Sequence, residues 1–235
     1  MKSKIIILVF AIISIWGCTN RAQKSISLSV LIDKTDALVP KPKLIHIKSF
    51  LEGYQYKDGR RSFYLQKITD TNISASFYAE LPEADPFGNS LEQKMRVQHF
   101  FSQIDTLLQE TNTEETHSSS SILKPLVRQL ERVQQSNTTD KVVLLYSDLL
   151  EASDLFNVYQ PQQQRLLITH PKKVIESLQA QLTIPSLDGV HLYLIYYPDN
   201  RLNNRLFEKM IEVYKELFKA SGLRIHIGID NNIHL

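Results

Sequence analysis

The segment KVVLLYSD, residues 141–148, decides the class of fold. Between Lys141 and Tyr146 every side chain is β-branched or aliphatic, which predicts a strand buried on both faces. Strands of this kind occur in mostly parallel sheets, because helices cover both faces of such a sheet. The strand ends at Ser147 and Asp148, and ligands of open α/β sheets bind beyond the carboxyl ends of the strands.

The sequence on either side alternates between short apolar runs and stretches with helical spacing, which predicts a three-layer, Rossmann-like α/β domain. Four residues separate the second and third strand patterns, which suits a hairpin and one antiparallel edge strand. The long helix is expected to start at a Ser90 cap and to bury Leu91 and Met95, and the glutamine-rich stretch after Leu150 is expected to be a loop. Further strands are predicted at 27–32, 62–68, 73–79, 191–197 and 223–229, and helices at 43–52, 89–110, 122–135, 171–182 and 202–218.

Composition excludes several classes of protein. The chain has 235 residues, of which 43% are hydrophobic and 22% are charged, as in globular domains. Its 7 glycines fit neither a dinucleotide-binding fingerprint nor a phosphate-binding loop. The net charge of +2 indicates no attraction to nucleic acid, and the 7 histidines show no zinc-binding spacing.

The amino terminus has the layout of a bacterial secretory signal. Lys2 and Lys4 precede an apolar run over 5–16, which is too short to span a membrane, and Gly17 precedes Cys18, the only cysteine. Residues 15–18 resemble the lipobox of bacterial lipoproteins. This resemblance implies that residues 1–17 are a cleaved signal peptide and that 18–25 form a tether lipidated at Cys18. Thr19 follows the cysteine, and we expect attachment to the outer membrane, facing the periplasm.

A second resemblance to a known family rests on polar residues that follow two of the predicted strands. Asp33 and Thr35 follow the first strand, Ser147 and Asp148 follow the buried strand, and serines occupy 118–121 before a helix. These positions resemble bacterial von Willebrand factor A-like (VWA-like) domains, and the resemblance covers roughly residues 26–230 in element order. It implies a VWA-like domain over 26–235 and a degenerate metal-ion-dependent adhesion site.

The resemblance implies a site for Mg²⁺ or Mn²⁺. Asp33 and Thr35 match its first loop and Asp148 its third, whereas Ala37 lacks the expected oxygen. Ser120 represents the second loop, with Thr116, Ser118 and Ser121 as alternatives. A metal-free reading stays open, in which both aspartates accept loop N–H groups and Ser120 or Ser121 caps the following helix.

The leading functional hypothesis is a non-catalytic, membrane-anchored module that binds a protein partner or scaffolds an assembly. It requires Asp33 and Asp148 to meet at an accessible end of the sheet. One alternative is a phosphatase-type hydrolase with Asp33 as the nucleophile, although Thr35 stands where the acid–base aspartate of such enzymes is expected. Another alternative is a purely structural lipoprotein.

Overall fold

The computed structural model describes residues 24–35, 39–52, 58–68, 76–113, 120–198 and 200–228. The predicted signal peptide, Cys18 and most of the tether lie outside these residues. Within the described ranges, no helix combines the length and the apolar character that a membrane span needs.

Six strands form one sheet in the order β3-β2-β1-β4-β5-β6. All neighbouring pairs are parallel except β2 and β3, which are antiparallel and place β3 at one edge. The predicted mostly parallel sheet with one antiparallel edge strand is therefore confirmed. The strands are β1 (Ile26–Asp33), β2 (Arg61–Ile68), β3 (Ser76–Leu81), β4 (Asp140–Tyr146), β5 (Val190–Ile195) and β6 (Arg224–Gly228).

The helices agree with the predicted ones apart from one addition. The glutamine-rich stretch is not all loop, because Pro161–Thr169 forms a helix with proline in its first turn. Glutamine is a good helix former, and proline is well suited to the first helical turn. The helices are α1 (Leu44–Leu51), α2 (Ser90–Thr113), α3 (Leu123–Gln134), α4 (Pro161–Thr169), α5 (Pro171–Gln181) and α6 (Arg201–Leu217), and a 3₁₀ turn (Lys219–Ser221) follows α6.

The start of α2 differs from the expectation. Asn89, rather than Ser90, caps the helix, because its Oδ1 accepts a hydrogen bond from Leu91 N at 2.9 Å. Leu91 and Met95 are 64% and 60% exposed, whereas Phe100 is buried. Helical spacing identified the apolar residues but not the point at which α2 begins to pack on the core.

Helices cover both faces of the sheet. In register, Tyr193 of β5 lies on the same face as Val30 of β1, and Ser29 therefore points to the opposite face. The Phe50 ring of α1 contacts Tyr193 with a 5.6 Å centroid separation. Ser29 Oγ donates to Gln129 Oε1 of α3 at 3.2 Å on the other face. Both faces of β1 are consequently buried along its whole length.

A chain of buried side chains fixes α3 over the sheet. Gln129 accepts from Ser29 of β1 and donates through Nε2 to Gln66 Oε1 of β2. All three residues are at most 5% exposed. Because a buried polar group without a partner is costly, this chain favours one position of α3 across β1 and β2.

Replacing the central glutamine tests this role. Gln129→Leu keeps a similar volume but leaves Ser29 and Gln66 with unsatisfied buried groups, and each such group costs about 1–3 kcal/mol. We expect the free energy of unfolding, measured by urea denaturation, to fall by about 2–4 kcal/mol. Gln135→Leu, at the exposed end of the same helix, is expected to change it by less than about 0.5 kcal/mol. Similar losses in the two variants would contradict the assignment.

Candidate functional site

The carboxyl ends of β1 and β4 lie side by side. The two strands are parallel neighbours, and Ile32 is paired with Tyr146. Asp33 ends β1, and Ser147 and Asp148 directly follow β4. The expectation that Asp33 and Asp148 belong to adjacent strands is confirmed.

Asp33 is the centre of a hydrogen-bond cluster. Its Oδ1 accepts from Thr35 N at 3.0 Å and from Thr35 Oγ1 at 2.6 Å. Its Oδ2 accepts from Ser120 Oγ and from Ser147 Oγ, both at 2.9 Å. An ionised carboxylate has about four acceptor positions, so these donors satisfy it. One side chain therefore joins the ends of β1 and β4 to the segment that precedes α3.

Asp148 organises the loop after β4. Its Oδ1 accepts from Leu150 N at 2.8 Å, and Ser147 Oγ accepts from Leu149 N at 2.9 Å. Leu149, which follows these two residues, has a φ of 62°, in the left-handed region that residues other than glycine rarely adopt. The two side-chain hydrogen bonds hold the loop in this strained conformation.

Both carboxylates lie below the surface. Asp33 is 2% exposed and Asp148 is 3% exposed, so the expectation that they themselves form an accessible binding face is wrong. Lys34, which is 6% exposed, donates through Nζ to Thr111 O near the end of α2 at 2.9 Å. This contact brings the end of α2 over the end of β1, which helps to enclose the cluster.

Sequence reasoning missed Glu151. Its Oε2 accepts from Ile122 N at 3.0 Å and from Leu123 N at 2.9 Å, so this carboxyl caps α3. The expected cap by Ser120 or Ser121 is not what holds these two amides: Ser120 Oγ instead donates to Asp33. A single acidic residue after the apolar pair at 149–150 was the available signal, but only the fold reveals its partners.

Burial dominates the electrostatics of the cluster. Desolvation raises the pKa of Asp33, although the hydrogen bonds from Thr35, Ser147 and Ser120 oppose this shift. Desolvation raises the pKa of Glu151 to about 7, and the nearby Asp33 charge adds to the shift. The buried Tyr214 phenol of α6 also has a raised pKa, mainly from burial and then from the carboxylates around it.

The oxygen atoms of this cluster suit a hard cation as ligands only in part. Thr35 and Ser120 each donate to Asp33, and a hydroxyl oxygen that donates keeps lone pairs for a metal. Mg²⁺ and Mn²⁺ prefer such oxygen ligands. Within the described ranges, however, no three histidine, cysteine or acidic side chains converge on one point. Thr116, Ser118 and Ala37 lie outside the described residues, while Ser121 is buried next to Ser120.

Comparison with known proteins identifies similar folds but no family. No protein-family model and no curated protein matches the sequence of this chain. The solved PilB minor pilin from Streptococcus sanguinis has a TM-score of 0.51 at 10% identity, covering 92% of this chain and 59% of the pilin. A point mutant of that pilin has a TM-score of 0.49 at 10% identity, covering 91% and 59%. This chain thus spans 59% of the pilin's length, and the likeness concerns the fold alone.

The raised pKa of Glu151 predicts a pH-dependent stability. Its folded pKa of about 7 lies above the ordinary 4.5, so the fold favours the protonated carboxyl. This contribution to stability is complete below the unfolded pKa and is lost as the pH rises through about 7. The loss in the free energy of unfolding is about 3 kcal/mol.

Glu151→Gln imitates the protonated side chain and keeps an oxygen for the two amides. Urea denaturation between pH 4.5 and 8 is expected to show a smaller decline in stability for this variant. Glu131→Gln, on the exposed side of α3, is the matched control and should decline as the wild type does. An unchanged slope in Glu151→Gln would refute the assigned role.

Proposed function

We propose that this chain is a membrane-anchored, non-catalytic module that binds a protein partner through loops at the carboxyl end of its sheet. The observation that carries the proposal is the Asp33 carboxylate, which receives hydrogen bonds from Thr35, Ser120 and Ser147. One buried group thereby fixes the relative positions of loops from three parts of the chain. Loops held on a rigid sheet are well suited to specific recognition. Lipidation at Cys18 is the proposed anchor, at the outer membrane and facing the periplasm.

A VWA-like fold is part of the proposal. Three observations support it: the mixed parallel order of the sheet, the Asp33 and Thr35 pair at the end of β1, and the Ser147 and Asp148 pair after β4. Ser120 supports it further, because this residue precedes α3 and bonds to Asp33. These positions correspond to the three loops on which the resemblance rests.

In the cation-dependent form of this proposal, the Asp33 cluster binds Mg²⁺ or Mn²⁺. Asp33, Thr35, Ser120 and Asp148 would hold the ion, and the ion would neutralise the Asp33 carboxylate, whose pKa is raised by burial. When bound, such a cation would supply a positive charge that holds the three loops together beneath the surface that meets the partner. The binding function also has a metal-free form, in which hydrogen bonds alone hold the loops.

The burial of Asp33 favours binding over catalysis. A nucleophilic aspartate must reach its substrate, whereas this side chain is 2% exposed and both of its oxygens accept hydrogen bonds. The hydrolase alternative therefore has less support than a binding module. The purely structural alternative differs from the proposal only in lacking a partner for the loops.

Calorimetric titration with magnesium and manganese chloride tests the cation. We expect heat of binding for the wild type and a stabilisation of about 2.7 kcal/mol at 100 times the dissociation constant. Asp33→Asn should abolish both effects, because a neutral amide attracts a cation less than a carboxylate does. Asp154→Asn is the control, since this nearby side chain is 68% exposed and pairs with Lys124. Absence of heat with either ion would leave the metal-free form.

Cross-linking in the native membrane tests the partner. We expect the wild type and Asp154→Asn to capture the same amount of partner protein. Asp33→Asn and Asp148→Asn are expected to capture at least tenfold less, because both changes loosen the loops. Circular dichroism of each variant would verify that it remains folded. Equal capture by all four proteins would favour the structural lipoprotein and count against a binding role for this end of the sheet.

A further inference from the structure

A cavity lies at the opposite end of the sheet from Asp33. Its volume is about 760 Å³, within the range of small-molecule sites in proteins. Arg61, the first residue of β2, lies in its wall, so the cavity is at the amino-terminal end of the parallel strands. The other walls come from the end of α1, the turn before α2 and the first turns of α2, and they include Glu52, Asp58, Asp85, Gly88, Gln93 and Lys94.

The lining of the cavity combines both signs of charge. Arg61 is only 4% exposed, and burial lowers its pKa while the charges of Glu52 and Asp58 oppose that shift. Lys94 adds a second cation and Asp85 a third carboxylate. Among the described residues of the lining, a strongly anionic ligand would face three carboxylates, of which Glu52 also pairs with Lys48, and a strongly cationic ligand would face Arg61 and Lys94. The lining therefore disfavours ligands with a large net charge of either sign.

Gln93 supplies an unused hydrogen-bond donor in the same wall. Its Nε2 is shielded from solvent and has no hydrogen-bond partner within the described ranges. The terminal amide rotates easily about its last torsion, and rotation costs Nε2 no existing hydrogen bond. A buried donor of this kind gains the most when a ligand provides an acceptor.

Phe87 belongs to the turn whose Asp85 and Gly88 line the cavity, while its own ring lies outside the lining. Asp85 Oδ1 accepts from Phe87 N at 2.9 Å, and Gly88 N donates to Asp85 O at 3.0 Å, so hydrogen bonds define this turn. The Phe87 side chain is 98% exposed and contributes little to the core. An exposed aromatic face beside polar groups offers an apolar surface for stacking.

We propose that this cavity binds a neutral, polyhydroxylated ligand, namely a saccharide. Hydroxyl groups both donate and accept, so one sugar ring bonds to carboxylates and to cationic donors of the same lining, in addition to the partners that these groups have within the protein. Glu52, Asp58 and Asp85 accept from sugar hydroxyls, while Arg61, Lys94 and Gln93 donate to them. Phe87, which adjoins Gly88 of the lining, stacks against the C–H face of a sugar ring that extends beyond the cavity. The inference is independent of the function proposed for the Asp33 cluster.

Calorimetric titration of the full chain in detergent with maltotriose, cellotriose and chitotriose tests this site. We expect at least one trisaccharide to bind, with an affinity at least tenfold weaker in Gln93→Leu and in Phe87→Ala. Gln98→Leu, on an exposed position of the same helix, is the matched control and should bind as the wild type does. Asp33→Asn should also retain binding, which separates this site from the one at the opposite end of the sheet.

Three outcomes would overturn the inference. The first is that none of the three trisaccharides binds. The second is that a trisaccharide binds but neither Gln93→Leu nor Phe87→Ala weakens its affinity. The third is that acetate or putrescine binds more tightly than the trisaccharides and that Gln93→Leu abolishes this binding. Phe87→Ala is expected to keep the fold intact because the ring is exposed. A loss of affinity in that variant therefore reports on the ligand rather than on unfolding.

Discussion

The buried carboxylate of Asp33 is the constraint on which the loops at this end of the sheet depend. A carboxylate removed from water must be fully hydrogen-bonded, protonated or neutralised by a cation. Here Thr35, Ser120 and Ser147 supply the donors, and each lies on a different segment. The cost of burying one charge thus enforces a single arrangement of segments that are far apart in sequence.

A second buried acid extends the same principle to α3. Glu151 accepts from the first amides of this helix, while Gln129, farther along it, bonds to β1 and β2. Polar contacts at two points fix the helix both along its axis and across the sheet. Apolar packing alone would tolerate small shifts of α3, because it is not directional. The precision of the loops near Asp33 therefore depends on polar groups inside the core.

The two ends of the sheet differ in their chemistry. At the carboxyl end, both oxygens of the buried Asp33 carboxylate accept hydrogen bonds within the fold, which holds the surrounding loops in place. At the amino-terminal end, charged groups and an unpaired amide line an open cavity of about 760 Å³ next to the exposed Phe87. The two ligands proposed above, a protein at the carboxyl end and a saccharide at the amino-terminal end, would therefore bind independently of each other.

Sequence alone determined the class of fold, because unbroken apolar strands such as 141–146 are stable only inside a sheet covered on both faces. It also indicated Asp33 and Asp148, because both follow predicted strands, and the resemblance to VWA-like domains added Thr35 and Ser120. Only the tertiary structure decided that Asp33 is buried, that Glu151 caps α3 and that Leu91 and Met95 are exposed. Periodicity reports which side of a helix is apolar, whereas burial and hydrogen-bond partners depend on segments brought together from distant parts of the chain.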